Sequence, residues 1–514
     1  MINKVKRVTK CGQISIKDIR DIVAGINNRK ALLVAISLSL TIFSSIVLAQ
    51  NDNKTTLPAV TLLLLDDQEA CPSVTPETTR SIVSRITNQA DLDELAGITR
   101  IEGSLIIAGN RLDFSPLNSL VEVSGNMRLS GAILDNVLNC LHSIGGELDL
   151  ASNGILSGFL ALNSIGGSLQ ITSSGLISMP DFPELRSIGS FLQISGNHAL
   201  IRFPTFPKLS SIGGTLLIRG NPSLTSITSF AELSSIDGDL LIGSNSAVTS
   251  LSAFTALSSV GGDLSINSLD SMNSFSGFEE LNSVGGDLLI FFNDVLVDVS
   301  DFVALNSVGG NIHITSNRLL TKLSNFPVLS SIGGSFNINN NDRLTSISGF
   351  EELGVIDGTL LIRTNSDLRS VTGFEKLAVV GDELRISSNN AIIALSEFSS
   401  LSTVGSDLTI RSTMVSSLSG FSLLSSVGGS LSIRGNDEMT SISGFQSLTS
   451  IVNGSLEVLF NEELTSISGF QSLTSNDVSG SIRVVLNVSL DCSNPVPNFV
   501  PVTESYDNLV NCDR

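Results

Sequence analysis

The chain holds 514 residues with a formal charge of −20, and 41% of them are hydrophobic against 15% charged. That balance excludes disorder over most of the length. Eight of the 29 basic residues and two of the 49 acidic ones lie in the first 30 positions, leaving 21 against 47, a net of −26, for the rest. Such a surface repels nucleic acid and anionic lipid, so neither is expected as a partner.

Residues 1–30 form a basic leader. Ala31 to Ala49 comes next as an uncharged apolar run of 19 residues. Two readings are open. Val47-Leu48-Ala49 ahead of Gln50 has the small residues a signal peptidase requires. The run is also nearly long enough to remain as a membrane anchor. Both readings put the chain beyond residue 49 on the non-cytoplasmic side, secreted or at the cell surface, and the membrane is met only through residues 31–49. Residues 50–70 read as a linker, 71–100 as an amino-terminal cap, 101–490 as repeats and 491–514 as a carboxy-terminal cap. No second apolar tail comes after the last repeat, so neither a stop-transfer helix nor a lipid anchor is expected.

Within residues 101–490 the phrase Gly-Gly-x-Leu-x-Ile-x-x-Asn returns about every 24 residues, as at Gly213 to Asn221, Gly285 to Asn293 and Gly428 to Asn436. A fixed period of this size marks a solenoid, each repeat one coil stacked on the last. Seventeen markers at the Leu position run from Leu105 to Ile482, with Met127, Ile312 and Phe336 as variants. From Leu192 to Leu408 they are 24 apart; outside that range the step drifts between 21 and 26. At the ~4.8 Å strand spacing, seventeen coils would stack to roughly 80 Å.

Leu-x-Ile alternates apolar with variable residues, the pattern of a half-buried strand. Gly-Gly before it marks a corner where a side chain would clash or φ must be positive. Asn five residues after the marker, from Asn110 to Asn487 in most coils, is placed to bond the neighbouring coil's backbone. Phe 14 residues after the marker, as at Phe206, Phe230 and Phe254, reads as an interior ladder. No helical period runs through the connections, so the back of each coil is expected to be β or irregular. The expected fold is mainly β, a right-handed parallel β-solenoid of about 17 coils.

Cys11 lies in the leader, and four cysteines sit near the two ends. A local pairing, Cys71–Cys140 and Cys492–Cys512, is expected in an exported chain. Asn53, Asn453 and Asn487 match the glycosylation acceptor pattern, although Asn487 also belongs to the inward Asn row.

Leu-x-Ile-x-x-Asn-x-x-Leu with its Gly-Gly corner resembles the receptor L-domain repeat, a relative of leucine-rich repeats. The resemblance covers roughly residues 90 to 490. It implies the fold and a ligand-binding surface at the cell exterior. The array is longer than in the receptors, no Cys-rich module or kinase is visible, and the anchor signal of similar fungal wall proteins is missing. Tyrosine-kinase signalling and lipid attachment are therefore not implied.

Candidate ligand-binding residues lie on outward positions of the strands. Leu217, Leu241, Leu289 and Leu361 with Phe291 and Phe292 form an apolar cluster. Arg363, Arg385, Arg411 and Arg434 form a basic one, readable as an anion site or as a solvated face. Asp239, Asp263 and Asp287, stacked one per coil, are readable as a Ca²⁺ site or as turn residues. His142, His198 and His313 lie in different coils and read as surface or corner residues. No catalytic or cofactor motif is present, so no cofactor is expected. Three functions compete: recognition of a protein or glycan, a structural role in a wall or matrix, and a carbohydrate-active β-helix enzyme. The last is weakest, because the chain has no Trp and one Tyr to stack on sugar.

Overall fold

The structure, a computed structural model, describes residues 71, 78–82, 85–109, 112–130, 134–151, 156–172, 175–485 and 487–490. The leader, the apolar run at 31–49, the linker, Asn53, the Cys492–Cys512 pair and residues 491–514 lie outside the described residues. No helix among the described residues is long and apolar enough to cross a membrane.

Each of the seventeen markers opens a strand, and all of these strands belong to one parallel sheet. Arg85–Ile86 adds one more strand, pairing with Leu105–Ala108. Register is kept residue for residue, as where Leu288 pairs with Ile312 and Ile290 with Ile314. The cause is the alternation: a one-residue slip would turn every buried Leu and Ile outward. A second parallel ladder of 17 strands is built mostly from two-residue Ser-Ile or Ser-Val pieces ahead of the Gly-Gly corner. The protein is thus a mainly β, parallel β-solenoid, and its connections carry short strands and turns. The α-helix among the described residues, Gln89–Asp93, stands before the first marker.

The corner glycines are explained by close approach. A Cβ on Gly285 would run into the carbonyl oxygen of Gly261 one coil earlier, and the same holds for Gly309 against Gly285. These corners have no positive φ. Left-handed backbone occurs instead four residues after the marker, at Ser244, Ser268, Phe292 and their equivalents, and in some coils at or just ahead of the ring column, as at Phe159, Gly277 and Asn325.

Each coil buries the same columns. In the coil of Leu288 these are Leu288, Ile290, Asn293, Leu296, Val299, Phe302, Leu305 and Val308, none more than 1% exposed. The rings of Phe159, Phe182 and Phe206 begin a ladder that continues one ring per coil to Phe470, with centroids 5.2 to 5.7 Å apart. Burying each ring is worth about 2–3 kcal/mol before stacking is counted. Buried Asn side chains solve the polar half of the problem. Asn317 Nδ2 donates to Ile290 O at 2.9 Å, and Asn317 N–H donates to Asn341 Oδ1 at 3.0 Å. The row thereby pairs backbone groups that the tight turn leaves unmet. Thr413 keeps the row going with its hydroxyl on Asn436 Oδ1 at 2.8 Å, whereas Leu269 supplies no side-chain partner. Asn487 is buried and its amide donates to Val458 O, which takes it out of reach for glycosylation in the folded chain. Cys71 and Cys140 form a disulfide, Cα–Cα 5.3 Å, that joins residues 69 apart in sequence.

Candidate functional site

Because Leu and Ile of each strand point inward, the two alternate positions stand on the outer face as columns. One column runs Leu217, Leu241, Ser265, Leu289, His313, Asn337, Leu361, Arg385. The other runs Arg219, Gly243, Asn267, Phe291, Thr315, Asn339, Arg363, Ser387, Arg411, Arg434.

The expected apolar cluster is only partly assembled. Leu217 and Leu241 are neighbours, but Ser265 separates them from Leu289, and His313 with Asn337 separates Leu289 from Leu361. Phe291 is half-buried, and Phe292, at the corner, is 57% exposed. The two rings meet edge-on at 5.5 Å.

The expected basic cluster loses one member. Arg411 and Arg434 are adjacent, and Arg363 lies two strands away, on the far side of Ser387. Arg385 stands in the other column, 2.8 Å from Glu383 in an ion pair. Its charge is met by the residue just ahead of its strand, so it does not join the row. Arg363, Arg411 and Arg434 have no ion pair with a described carboxylate. Ser387 and Ser412 lie beside them, so the surroundings are polar and small.

The aspartates before the strands act as turn chemistry. Asp263 N–H donates to Asp239 Oδ1 at 2.9 Å, Asp287 N–H to Asp263 Oδ1 at 2.7 Å and Asn311 N–H to Asp287 Oδ1 at 2.6 Å. Ser335, Ser430 and Ser455 occupy the same station in other coils with similar bonds. No group of three His, Cys, Asp or Glu able to hold a metal occurs among the described residues.

His313 is the surface residue expected, on the outer face of the sheet, and not a corner one. It sits within a strand, half-buried, 2.8 Å from Asn337 Nδ2 through its Nε2. Burial lowers its pKa, and Asp287 offsets this in part. His198 is exposed, and His142 rests its Nδ1 2.7 Å from Cys140 O.

A groove of about 470 Å³ opens beside the strand-closing corner, lined by Asp270, Phe292, Asp294, Arg318 and Asp342 together with Ser268, Ser316 and Asn340. Sequence reasoning missed it, because its members come from two positions on either side of a bend. Aligning the coils shows the signal: Phe292 occupies a column that otherwise holds mostly Gly and Ser.

No family model matches the chain, and no curated protein does. Among solved structures, the crystal structure of a TLR13–ssRNA13 complex aligns over 77% of this chain and 77% of its own at 15% identity and a TM-score of 0.17. A superposition that loose carries neither fold detail nor the RNA of that complex to this chain. The coil itself, a short parallel strand closed by a buried Asn, follows the leucine-rich pattern of Leu-x-Leu-x-x-Asn.

Proposed function

We propose that this chain is an exported or cell-surface recognition protein, of the receptor L-domain kind and without catalytic activity, that binds an anionic protein or glycan along its strand face. The carrying observation is the column of Arg363, Arg411 and Arg434. Three guanidinium groups with no described carboxylate partner sit in register on a chain of net charge −20. Arg presents planar, paired donors that suit carboxylate and sulfate groups. Export is supported by the Cys71–Cys140 disulfide and by the apolar run at 31–49.

The test is an array of sulfated glycans, carboxylated glycans and acidic peptides, probed with the chain and with an Arg363→Glu/Arg411→Glu variant. The expected result is capture of one anionic class and a loss of tenfold or more in the variant. Equal capture by both proteins would remove the reading. Recovery of the mature chain from culture medium or from the cell surface checks export.

A further inference from the structure

Every coil from Gly196 to Phe460 has, four residues after its marker, a residue in the left-handed region, φ between 52° and 68°. Eight of these twelve are Gly or Ser, which tolerate or suit a bend. Phe292, at φ 55°, carries a large side chain where a bulky residue is a backbone outlier. Burial does not repay that cost, because the side chain is the exposed one of the Phe291–Phe292 pair. Phe460 repeats the arrangement at φ 57° and 53% exposure, with Glu462 two residues on, as Asp294 comes two after Phe292. An exposed apolar group held in a costly conformation points to a contact made outside the chain.

Charge says what kind of contact. Around Phe292 the groove carries Asp270, Asp294 and Asp342 against one cation, Arg318. Arg318 Nε lies 3.6 Å from Asp294 Oδ1. Asp270 and Asp342 have no described cationic partner, so the groove keeps an excess of two negative charges beside an open aromatic face. Leu319, next to Arg318, adds exposed apolar surface. From Asp270 to Asp342 is three coil steps, ~14 Å at ordinary strand spacing, longer than a small amine and suited to an extended segment with two cationic side chains.

We propose that the Phe291–Phe292 corner docks a basic segment of a protein partner. A Lys or Arg stem lies on the Phe292 ring, where the ring quadrupole attracts its cation, and the charged ends meet Asp270 and Asp342. The site is three coils from Arg363 and takes ligands of the opposite charge, so it stands or falls apart from the arginine column.

The experiment measures anisotropy of two labelled nine-residue peptides with the full chain at physiological salt. One alternates Lys or Arg with Ala; the other alternates Glu with Ala. Three variants are compared: Phe292→Ser, Asp270→Asn/Asp342→Asn, and Glu351→Gln/Asp357→Asn, which removes the same charge from exposed positions elsewhere. The basic peptide is expected to bind the native chain at least tenfold tighter than the acidic one. Phe292→Ser should weaken it fivefold or more while leaving the melting temperature unchanged or higher, since Ser is what equivalent coils carry. The groove double variant should weaken it tenfold, and the distant double variant less than twofold. The proposal is overturned by any of these: no preference for the basic peptide, equal losses in the two double variants, unchanged binding by Phe292→Ser, or a fall of several degrees in that variant's melting temperature, which would make the ring a packing element.

Discussion

The coils from Leu105 to Leu169 and those from Leu192 to Leu408 share one sheet but not one length. The first step by 21 to 23 residues, the second by 24 throughout. Strand register is the same in both: Leu105 pairs with Met127 as faithfully as Leu288 pairs with Ile312. What shortens is the arc behind the strand. The ring column falls 14 residues after the marker at Phe302, but 11 after at Phe159, and in the coil of Leu105 the equivalent place, 12 after the marker, holds Leu117. In the coil of Met127 the place is taken by Leu138, also fully buried. The sheet therefore fixes where a coil must return, and the back arc absorbs the difference in length. Ring stacking runs unbroken from Phe159 to Phe470, whereas the short coils before it are joined to Cys71 by the Cys71–Cys140 disulfide.

The contrast is broken most sharply by truncating a ring in each region. Phe278→Ala removes a ring stacked on both sides, on Phe254 and on Phe302, and should cost about 3–5 kcal/mol. Phe114→Ala, in an outer short coil, should cost less, because an end coil frays without opening the array. Urea unfolding of both variants checks this; equal costs would show that the array unfolds as one unit. Replacing Cys71 and Cys140 with Ser should cost about 2–4 kcal/mol, felt only in the short coils. Hydrogen exchange should quicken near Leu105 to Leu148 and stay unchanged near Leu288 to Leu360.

Leu269 sharpens the comparison from inside the regular region. Asn293 still accepts its N–H at 3.2 Å, but Leu269 offers no acceptor to the coil before it. Leu269→Asn should thus cost less than about 1 kcal/mol, since the new amide finds the partners its neighbours use. Leu264→Asn, at a column with no such partners, should cost about 3 kcal/mol or more. Thermal melts of the pair decide it, and equal losses would mean that the Asn row is incidental to stability.

The interior was legible because repetition states each column many times over. All seventeen markers open strands, and the Asn row from Asn197 on and the Phe row lie where their spacing put them, while Asn110 and Asn153 lie outside the described residues. Leu117, Leu138 and Phe159 escaped, since a fixed offset from the marker fails where the arc is short. The outer face was less legible. Its columns follow from alternation, but whether a charge is free depends on neighbours, and Glu383 meets Arg385 while nothing described meets Arg363. The groove at Phe292 was hidden for a geometric reason: nothing in a residue's type says that the backbone turns left-handed there, so positions two apart could not be seen to share a wall.

Two aspartates in equivalent places give the finest test of the two regions. Asp181 and Asp301 each stand just before a ladder ring, Phe182 and Phe302. Burial pushes Asp181 upward, but the Arg202 guanidinium and the Thr205 N–H outweigh it and hold the carboxyl below its ordinary value. Asp301 is pushed up to about 6 by burial and by the charges of Glu279 and Asp298, which a bond from the Gly277 backbone offsets only in part. The signs are opposite. Asp181 contributes stability that is present above pH 3.8 and fades as pH falls through its lowered pKa. Asp301 contributes stability that is full below pH 3.8 and is lost as pH rises through about 6. Both side chains are partly solvated, so the effects are discounted: about 1 kcal/mol gained by Asp301→Asn at pH 7.5, and a loss of stability in Asp181→Asn at the same pH. At pH 3.5 the carboxyl of Asp301 is already neutral, so Asp301→Asn should be without effect there, whereas the effect of Asp181→Asn should be smaller than at pH 7.5. Urea midpoints from pH 3.5 to 7.5 should therefore diverge in opposite directions, and a loss of stability in Asp301→Asn at pH 7.5 would show that its carboxylate is held by a favourable partner.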